Sequence, residues 1–387
     1  MQSLKAFDHT HYIPILKGKQ GEYDAVQTLF LPDRAALTPL FEVPAVDFDY
    51  KTQQPKKSEA AHLTASRDKM LASWGTARHF YVDMGDARLS NPVLGDPNGQ
   101  HPYTFMFDLA RAVGLLPVPV IPLAPDPALI AAVRAIHAKD GRGVMVRVAR
   151  QHLSSPIFVQ LVHQLLGQLA LPPGQVDMLL DLDQVESANV QLYLNWLVQW
   201  LPHLPYSTAW RTLTLAGCAF PKTLSAFKVG TVGLVPRAEW AVWSSLLSHL
   251  PNGGRMPTFS DYGVSFTDVA EVDPRIMQNV HNIRYTAANE WFIFRGKNLK
   301  TGKGPSNHQV CQQVVAHSSY CGPTFSTGDA EIYACAGRTT HPRNPTQWRE
   351  TGTNHHLTFV VRQLASQLAS SVPAGPLPVA GPAAGTP

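Results

Sequence analysis

The sequence predicts an α/β protein, a (β/α)8 TIM-like barrel with a C-terminal α+β extension. Three observations carry that reading. Eight short apolar runs alternate with amphipathic stretches of ten to fifteen residues over the first 270 positions, which is the sequence form of successive βα units. Runs such as VMVRV (144–148) and MLLDL (178–182) are apolar at nearly every position, as parallel strands covered on both faces must be. After residue 270 the alternation gives way to a different pattern.

Taken in order, a strand at 12–16 precedes a helix near 22–30, a strand at 37–43 precedes a helix near 58–74, and a strand at 79–83 precedes a long loop and a helix from about 102 to 113. The fourth strand, 118–123, runs into Asp126-Pro127, where Asp caps the free amides of a helix and Pro suits its first turn because it has no N–H to satisfy. The same signal returns as Ser155-Pro156 after the fifth strand, 143–149, with a helix through Leu166. A sixth unit pairs 176–182 with a helix near 188–201, a seventh pairs 212–216 with one near 237–250, and 256–259 is the eighth strand. Pro236 starts the seventh helix, Glu239 lies in its first turn, and Trp240 and Trp243 share a face at i and i+3, a packing pattern.

Beyond the barrel, residues 282–296 read as a hairpin turning at Ala287-Ala288-Asn289, followed by a helix near 308–317, a Gly/Ser/Thr-rich loop and a last helix near 354–368. The organisation expected is therefore a barrel over 1–270, an α+β lobe over 271–370 docked on it, and a disordered tail over 371–387, which carries no charge or aromatic group. Periodicity alone does not separate a closed barrel from an open doubly wound sheet; eight units in about 260 residues favour the barrel.

Composition narrows the function classes. A net charge of +4 with Lys and Arg dispersed along the chain argues against nonspecific nucleic-acid binding. No apolar stretch is long enough for a membrane span and the N-terminus lacks a signal-peptide core, so a cytoplasmic protein is expected. The four cysteines are too few for a disulfide framework; Cys311, His317, Cys321 and Cys335 would make a zinc set only without the usual paired spacing. No P-loop, HExxH, G-x-S-x-G or dinucleotide fingerprint is present.

In a parallel barrel the C-terminal ends of the strands converge on one face, so Lys17, Glu42, Asp83, Arg147, Asp181 and Asp261 become catalytic candidates, with Asp183 and Ser260 beside them. Such a group provides acid and base functions or takes a divalent metal, although no metal or other cofactor is required by the sequence. The alternative is plain: buried charges in any large barrel need partners, and these are ion pairs. The candidate binding residues are Tyr262, Trp291, Trp348, Arg349, His355 and His356. Adjacent histidines on a helix point about 100° apart, so His355-His356 is a weak metal signal, and Trp348-Arg349 fits docking of the lobe.

Five segments, YIPILKGKQGEYDAV (12–26), PLFEVP (39–44), PTFSDY (257–262), YCGPTFSTGDAEIYACA (320–336) and WRETGTNHHLTFVVRQL (348–364), resemble the Beta protein family of phages, satellite phages and bacterial genomes. The resemblance spans about residues 10 to 368. It implies a component of a phage-defence or toxin–antitoxin module, as in the satellite-phage module where Beta counteracts killing by Gop beside CII. The expectation is an antitoxin-like regulator that binds a toxic partner protein from the same operon, with Trp291 to Phe294 and the C-terminal lobe as the interface. The rival is a barrel hydrolase, phosphodiesterase or nuclease-like, using a metal at Glu42, Asp83, Arg147, Asp181 and Asp261; sensing of a phage protein or small ligand at the rim is a third reading. Whether the chain is an enzyme stays open at this stage.

Overall fold

The computed structural model describes residues 6–49, 51–85, 100–250, 254–267, 280–298, 301–340 and 343–371. Eight strands, Tyr12–Leu16, Leu40–Glu42, Phe80–Asp83, Pro117–Pro122, Val144–Ala149, Val176–Gln184, Thr212–Cys218 and Thr258–Asp261, form a closed barrel in sequence order. Every pairing is parallel, and the last strand closes on the first through Tyr12 with Phe259 and Ile13 with Ser260. The second strand is shorter than expected from residue 37: Pro39 has no N–H to give, and Leu37 keeps only a single bridge to Tyr12.

Side chains alternate between the inside of the barrel and the helix layer. Ile13, Ile15, Leu40, Tyr81, Val118, Val120, Met145 and Leu179 fill the interior. Tyr12, Phe41, Phe80, Val82, Val146, Leu180 and Phe259 face the helices. The helix layer comprises Gln20–Gln27, Glu59–Trp74, Pro102–Ala112, Pro127–Asp140, Phe158–Leu169, Val190–Trp200 and Ala238–His249, and it is completed by Pro345–Ser371. That last helix, which the sequence assigned to the appended lobe, packs against Gln20–Gln27 and sends Leu357, Val360, Val361 and Leu364 into the core of the barrel's helix layer. It starts nine residues before the expected Asn354 (from 345). Thr351, Gly352 and Thr353 are poor helix formers, but Thr351 and Thr353 are fully buried, and this packing overrides propensity.

Between the eighth strand and that helix lies the lobe. The hairpin Val280–Thr286 and Glu290–Asn298 is joined by Val232–Pro236, which pairs antiparallel with its second strand and was not anticipated. One face of this sheet, through Trp291 and Ile293, continues the barrel-side core with Phe220, Tyr262 and Val264. The other, through Ile283, Tyr285 and Phe294, meets Val310, Val314, Ile332 and Trp348. Helix Asn307–Val315 matches expectation; Thr327–Ala336, read as loop, is helical because Ser326 caps it by accepting the Asp329 N–H at 3.0 Å. The expected domain boundary at 270 lies outside the described residues, as does the expected tail from 372 on; Ser371, expected in that tail, is the last residue of the long helix.

Candidate functional site

Strand parity decides which polar side chains meet. Asp177, Leu179 and Asp181 share the inner face of one strand; Glu42 and Asp83 are the last inward positions of theirs, Arg147 is inward two residues before Ala149, and Lys17 follows the end of the first strand. At the C-terminal mouth they converge on Arg147. Its Nη1 donates to Glu42 Oε1 and to Asp83 Oδ2, both at 2.7 Å, its Nε donates to Asp181 Oδ2 at 2.8 Å, and its Nη2 reaches the Tyr262 hydroxyl at 2.6 Å. Lys17 pairs with the other Glu42 oxygen and donates to the Thr267 carbonyl. Tyr262 donates to Asp181 Oδ2 at 2.6 Å. The group walls a cavity of about 370 Å³ whose outer side is formed by Arg150, Gln151 and Asp183.

Electrostatics follow from this crowding. Burial raises the Glu42 carboxyl above its ordinary range, only partly opposed by Arg147 and Lys17. Burial opposes the charge on Arg147 as well, but Tyr262, Asp181, Glu42 and Asp83 around it hold its guanidinium well above its ordinary value. Burial likewise pushes the Tyr262 hydroxyl far up. Asp183 has φ +57°, a left-handed backbone that Asp tolerates, and its N–H donates to Asp181 Oδ1 at 2.9 Å, leaving its own carboxylate at the opening.

Five of the six catalytic candidates thus share one pocket, and Asp261 does not. It sits between the inward Ser260 and Tyr262, so parity turns it outward to the helix layer. There it accepts from the Tyr12 hydroxyl at 2.5 Å, from the Gly263 N–H at 2.9 Å and from His356 Nε2 at 3.0 Å. His356 Nδ1 faces the Thr286 hydroxyl at 2.9 Å, so a neutral ring with its proton on Nε2 satisfies every contact. Burial, outweighing Asp261, lowers the pKa of His356 in agreement. Its neighbour turns the other way: His355 Nδ1 meets Asp329 Oδ2 at 2.8 Å, its Nε2 meets the Thr286 carbonyl at 2.9 Å, and its ring stacks on Tyr285 at 3.9 Å. The two histidines are therefore two staples, one into the barrel and one into the lobe.

The remaining aromatic binding candidates are also internal. Trp291 and Phe294 are 1% exposed, so the expected partner interface at 291–294 is corrected to a packing seam; Trp348 is buried in the lobe core. Arg349 donates to the Ser265 hydroxyl at 2.7 Å. The residues do not fit a metal at the mouth, because the carboxylates converge on a guanidinium instead of an open point, and among the described residues no three His, Cys, Asp or Glu side chains are placed to hold one. The possible zinc set is not assembled either: the His317 ring lies against Phe292 at 4.3 Å, and Cys311 and Cys335 are core residues.

Sequence reasoning missed Glu239. Expected in an ordinary first helical turn, it is 3% exposed, neither oxygen has a hydrogen-bond partner of good geometry, and Arg237 Nε stands 3.8 Å away. Burial raises its pKa to about 8, only partly opposed by Arg237. The nearby Trp240 and Trp243 do pack together on Phe259, as their spacing predicts.

Among the described residues no helix is long and apolar enough to cross a membrane. A family model described as "Beta protein" matches residues 12–362, the whole barrel together with the lobe. No curated protein matches the chain.

Proposed function

The chain belongs to the Beta protein family, and from that premise we propose that it is an antitoxin-like regulator of a phage-defence module, acting in the cytoplasm by binding a toxic partner protein encoded beside it. The observation that supports a recognition role is the barrel mouth. Four carboxylates, Glu42, Asp83, Asp181 and Asp183, face one cavity with three cations, Lys17, Arg147 and Arg150, the last also lying over the Tyr193 ring at 5.3 Å. Acid exceeds base there, so a Lys- or Arg-bearing segment of the partner is the complementary occupant. The inward-turned aromatic residues of the hairpin leave the mouth as the better docking surface. Co-expression of the chain with each neighbouring gene tests the reading: it should restore growth to cells carrying the toxic one, and failure to rescue any neighbour removes the antitoxin role.

A second reading, a barrel hydrolase of phosphate esters, draws on Glu42, whose raised carboxyl beside Arg147 and Tyr262 suits a general acid. Arg147 occupies the point where a metal would bind, so this version runs without one. Turnover of bis(p-nitrophenyl) phosphate that survives chelator and disappears in Glu42→Gln would favour it over the regulator.

A further inference from the structure

A second cavity, of about 390 Å³, opens on the outer side of the first two strand ends, behind the wall made by Lys17–Gly18 and Glu42–Pro44. It is built by the start of helix Gln20–Gln27, one face of helix Glu59–Trp74, the start of helix Pro345–Ser371, and Pro44, Asp47 and Lys57 from the connection before the second of these. Gly21 makes the junction possible, since a Cβ there would collide with the Thr346 carbonyl oxygen and the Glu350 amide.

The lining is the electrical opposite of the mouth. Lys19, Lys57, Lys69 and Arg349 face this space with a single carboxylate, Asp47. Asp47 is largely exposed, and its ion-pair contact is with Lys56, at 4.0 Å, outside the lining. No ion pair holds any of the four cations among the described residues; Arg349 is positioned by the neutral Ser265 hydroxyl and Lys69 lies over the Tyr23 ring at 5.9 Å. The cations weigh on one another: burial and then Arg349 lower the pKa of Lys19 against the pull of Glu22 and Asp47, while burial and then Lys57 lower that of Lys69 against Asp47 and Asp24. With four cations against Asp47 in the lining, and Glu22 behind Lys19, the cavity keeps a net positive field that favours an anion.

His62 supplies an independent pointer. It is 7% exposed and lines the cavity; its Nε2 is engaged by the Pro44 carbonyl at 2.7 Å, and its Nδ1 is buried without a partner. With Nε2–H given to the Pro44 carbonyl and burial lowering its pKa, the ring is neutral, so Nδ1 is a vacant acceptor for a hydroxyl of a ligand. The start of the long helix Pro345–Ser371 adds the positive end of its dipole at Thr346, although Asn344 Oδ1 already caps the Gln347 N–H at 2.9 Å.

We propose that this cavity is a phosphate-binding site for a small phosphorylated ligand, with Lys19, Lys57, Lys69 and Arg349 holding the phosphoryl oxygens and His62 Nδ1 accepting from a P–OH or sugar hydroxyl of the ligand. The site is separate from the barrel mouth, so its fate does not depend on the regulator reading. Guanidinium and ammonium groups around a helix start form the donor array that a di- or triphosphate satisfies.

Calorimetric titration of the full chain with pyrophosphate and with ADP tests this. Saturable binding is expected to at least one of them, weakened tenfold or more in Lys57→Ala/Lys69→Ala and threefold or more in His62→Phe, with circular dichroism unchanged. Tighter binding of ADP than of pyrophosphate assigns the site to a nucleotide; equal binding assigns it to the phosphoryl group alone. Absence of saturable binding by both, or equal binding by the double variant, overturns the proposal, as does capture of a single-stranded oligonucleotide where neither small anion binds.

Discussion

The two ends of the barrel solve the same problem, a carboxylate inside a strand cylinder, in opposite ways. At the N-terminal end Asp177 is 0% exposed and its two oxygens take four donors: Arg211 Nε at 2.8 Å and Nη2 at 2.5 Å, the Tyr81 hydroxyl at 2.9 Å and the Thr212 hydroxyl at 2.8 Å. One carboxylate there has an arginine to itself. At the C-terminal end one arginine serves Glu42, Asp83 and Asp181, beside open space. The first is a plug whose polar atoms are saturated; the second is a cluster with capacity left over for another cation. That difference teaches where to look for function: burial and charge are common to both ends, but only the mouth is under-compensated and accessible.

The largest effect that tests this comparison is loss of the plug. Arg211→Ala strands a fully buried carboxylate and should cost about 3–5 kcal/mol in denaturant unfolding at pH 7. Arg147→Ala removes more ion pairs, yet water enters the mouth and Lys17 remains beside Glu42, so a smaller loss, about 1–3 kcal/mol, is expected. If Arg147→Ala proves the more damaging of the two, the mouth is structural and the contrast between the ends fails.

Glu239 extends the comparison to a carboxylate with no donor of good geometry. Its pKa in the fold is raised to about 8, whereas in the unfolded chain it titrates near its ordinary 4.5. Between those values the folded state holds the extra proton, so stability falls as pH rises through that window and the full cost is present above it. Glu239→Gln should therefore stabilise the protein at pH 8.5 by about 1–3 kcal/mol and have no effect near pH 4, as measured by the unfolding midpoint across pH. A gain that is independent of pH would mean that the carboxyl is not protonated in the fold.

The barrel was legible in the sequence because parallel strands buried on both faces leave apolar runs, and because Asp126-Pro127 announces a helix start; Ser155-Pro156 only precedes one, which begins at Phe158 with Ile157 at its N-cap. The mouth was legible for the same reason: strand ends in a barrel converge, and Lys17, Glu42, Asp83, Arg147 and Asp181 do so. Asp261 was misplaced although the signal was available, since alternation cannot put Ser260, Asp261 and Tyr262 on one side. The last helix was harder to assign. Its partners, Asp261 and Asp329, lie 95 and 26 residues from His356 and His355, and no local pattern reports such pairings. The cationic cavity was invisible for a related reason: Lys19, Lys57, Lys69 and Arg349 are dispersed in sequence, and the dispersal that argued against a basic patch concealed one assembled by topology.

The smallest expected effect on stability is the most informative about function. Asp183 stands at the opening, accepts no ion pair among the described residues, and occupies a left-handed backbone that Asn adopts as readily as Asp. Asp183→Asn should thus change stability by less than about 0.5 kcal/mol. If a cationic segment of the partner docks at the mouth, however, the same substitution removes the exposed charge that meets it first, and rescue of growth should fall while the amount of folded protein stays constant. The effect should grow with ionic strength held low and shrink in high salt, because an exposed charge acts through a screened field. Undiminished rescue by Asp183→Asn at low salt would move the partner surface away from the barrel mouth.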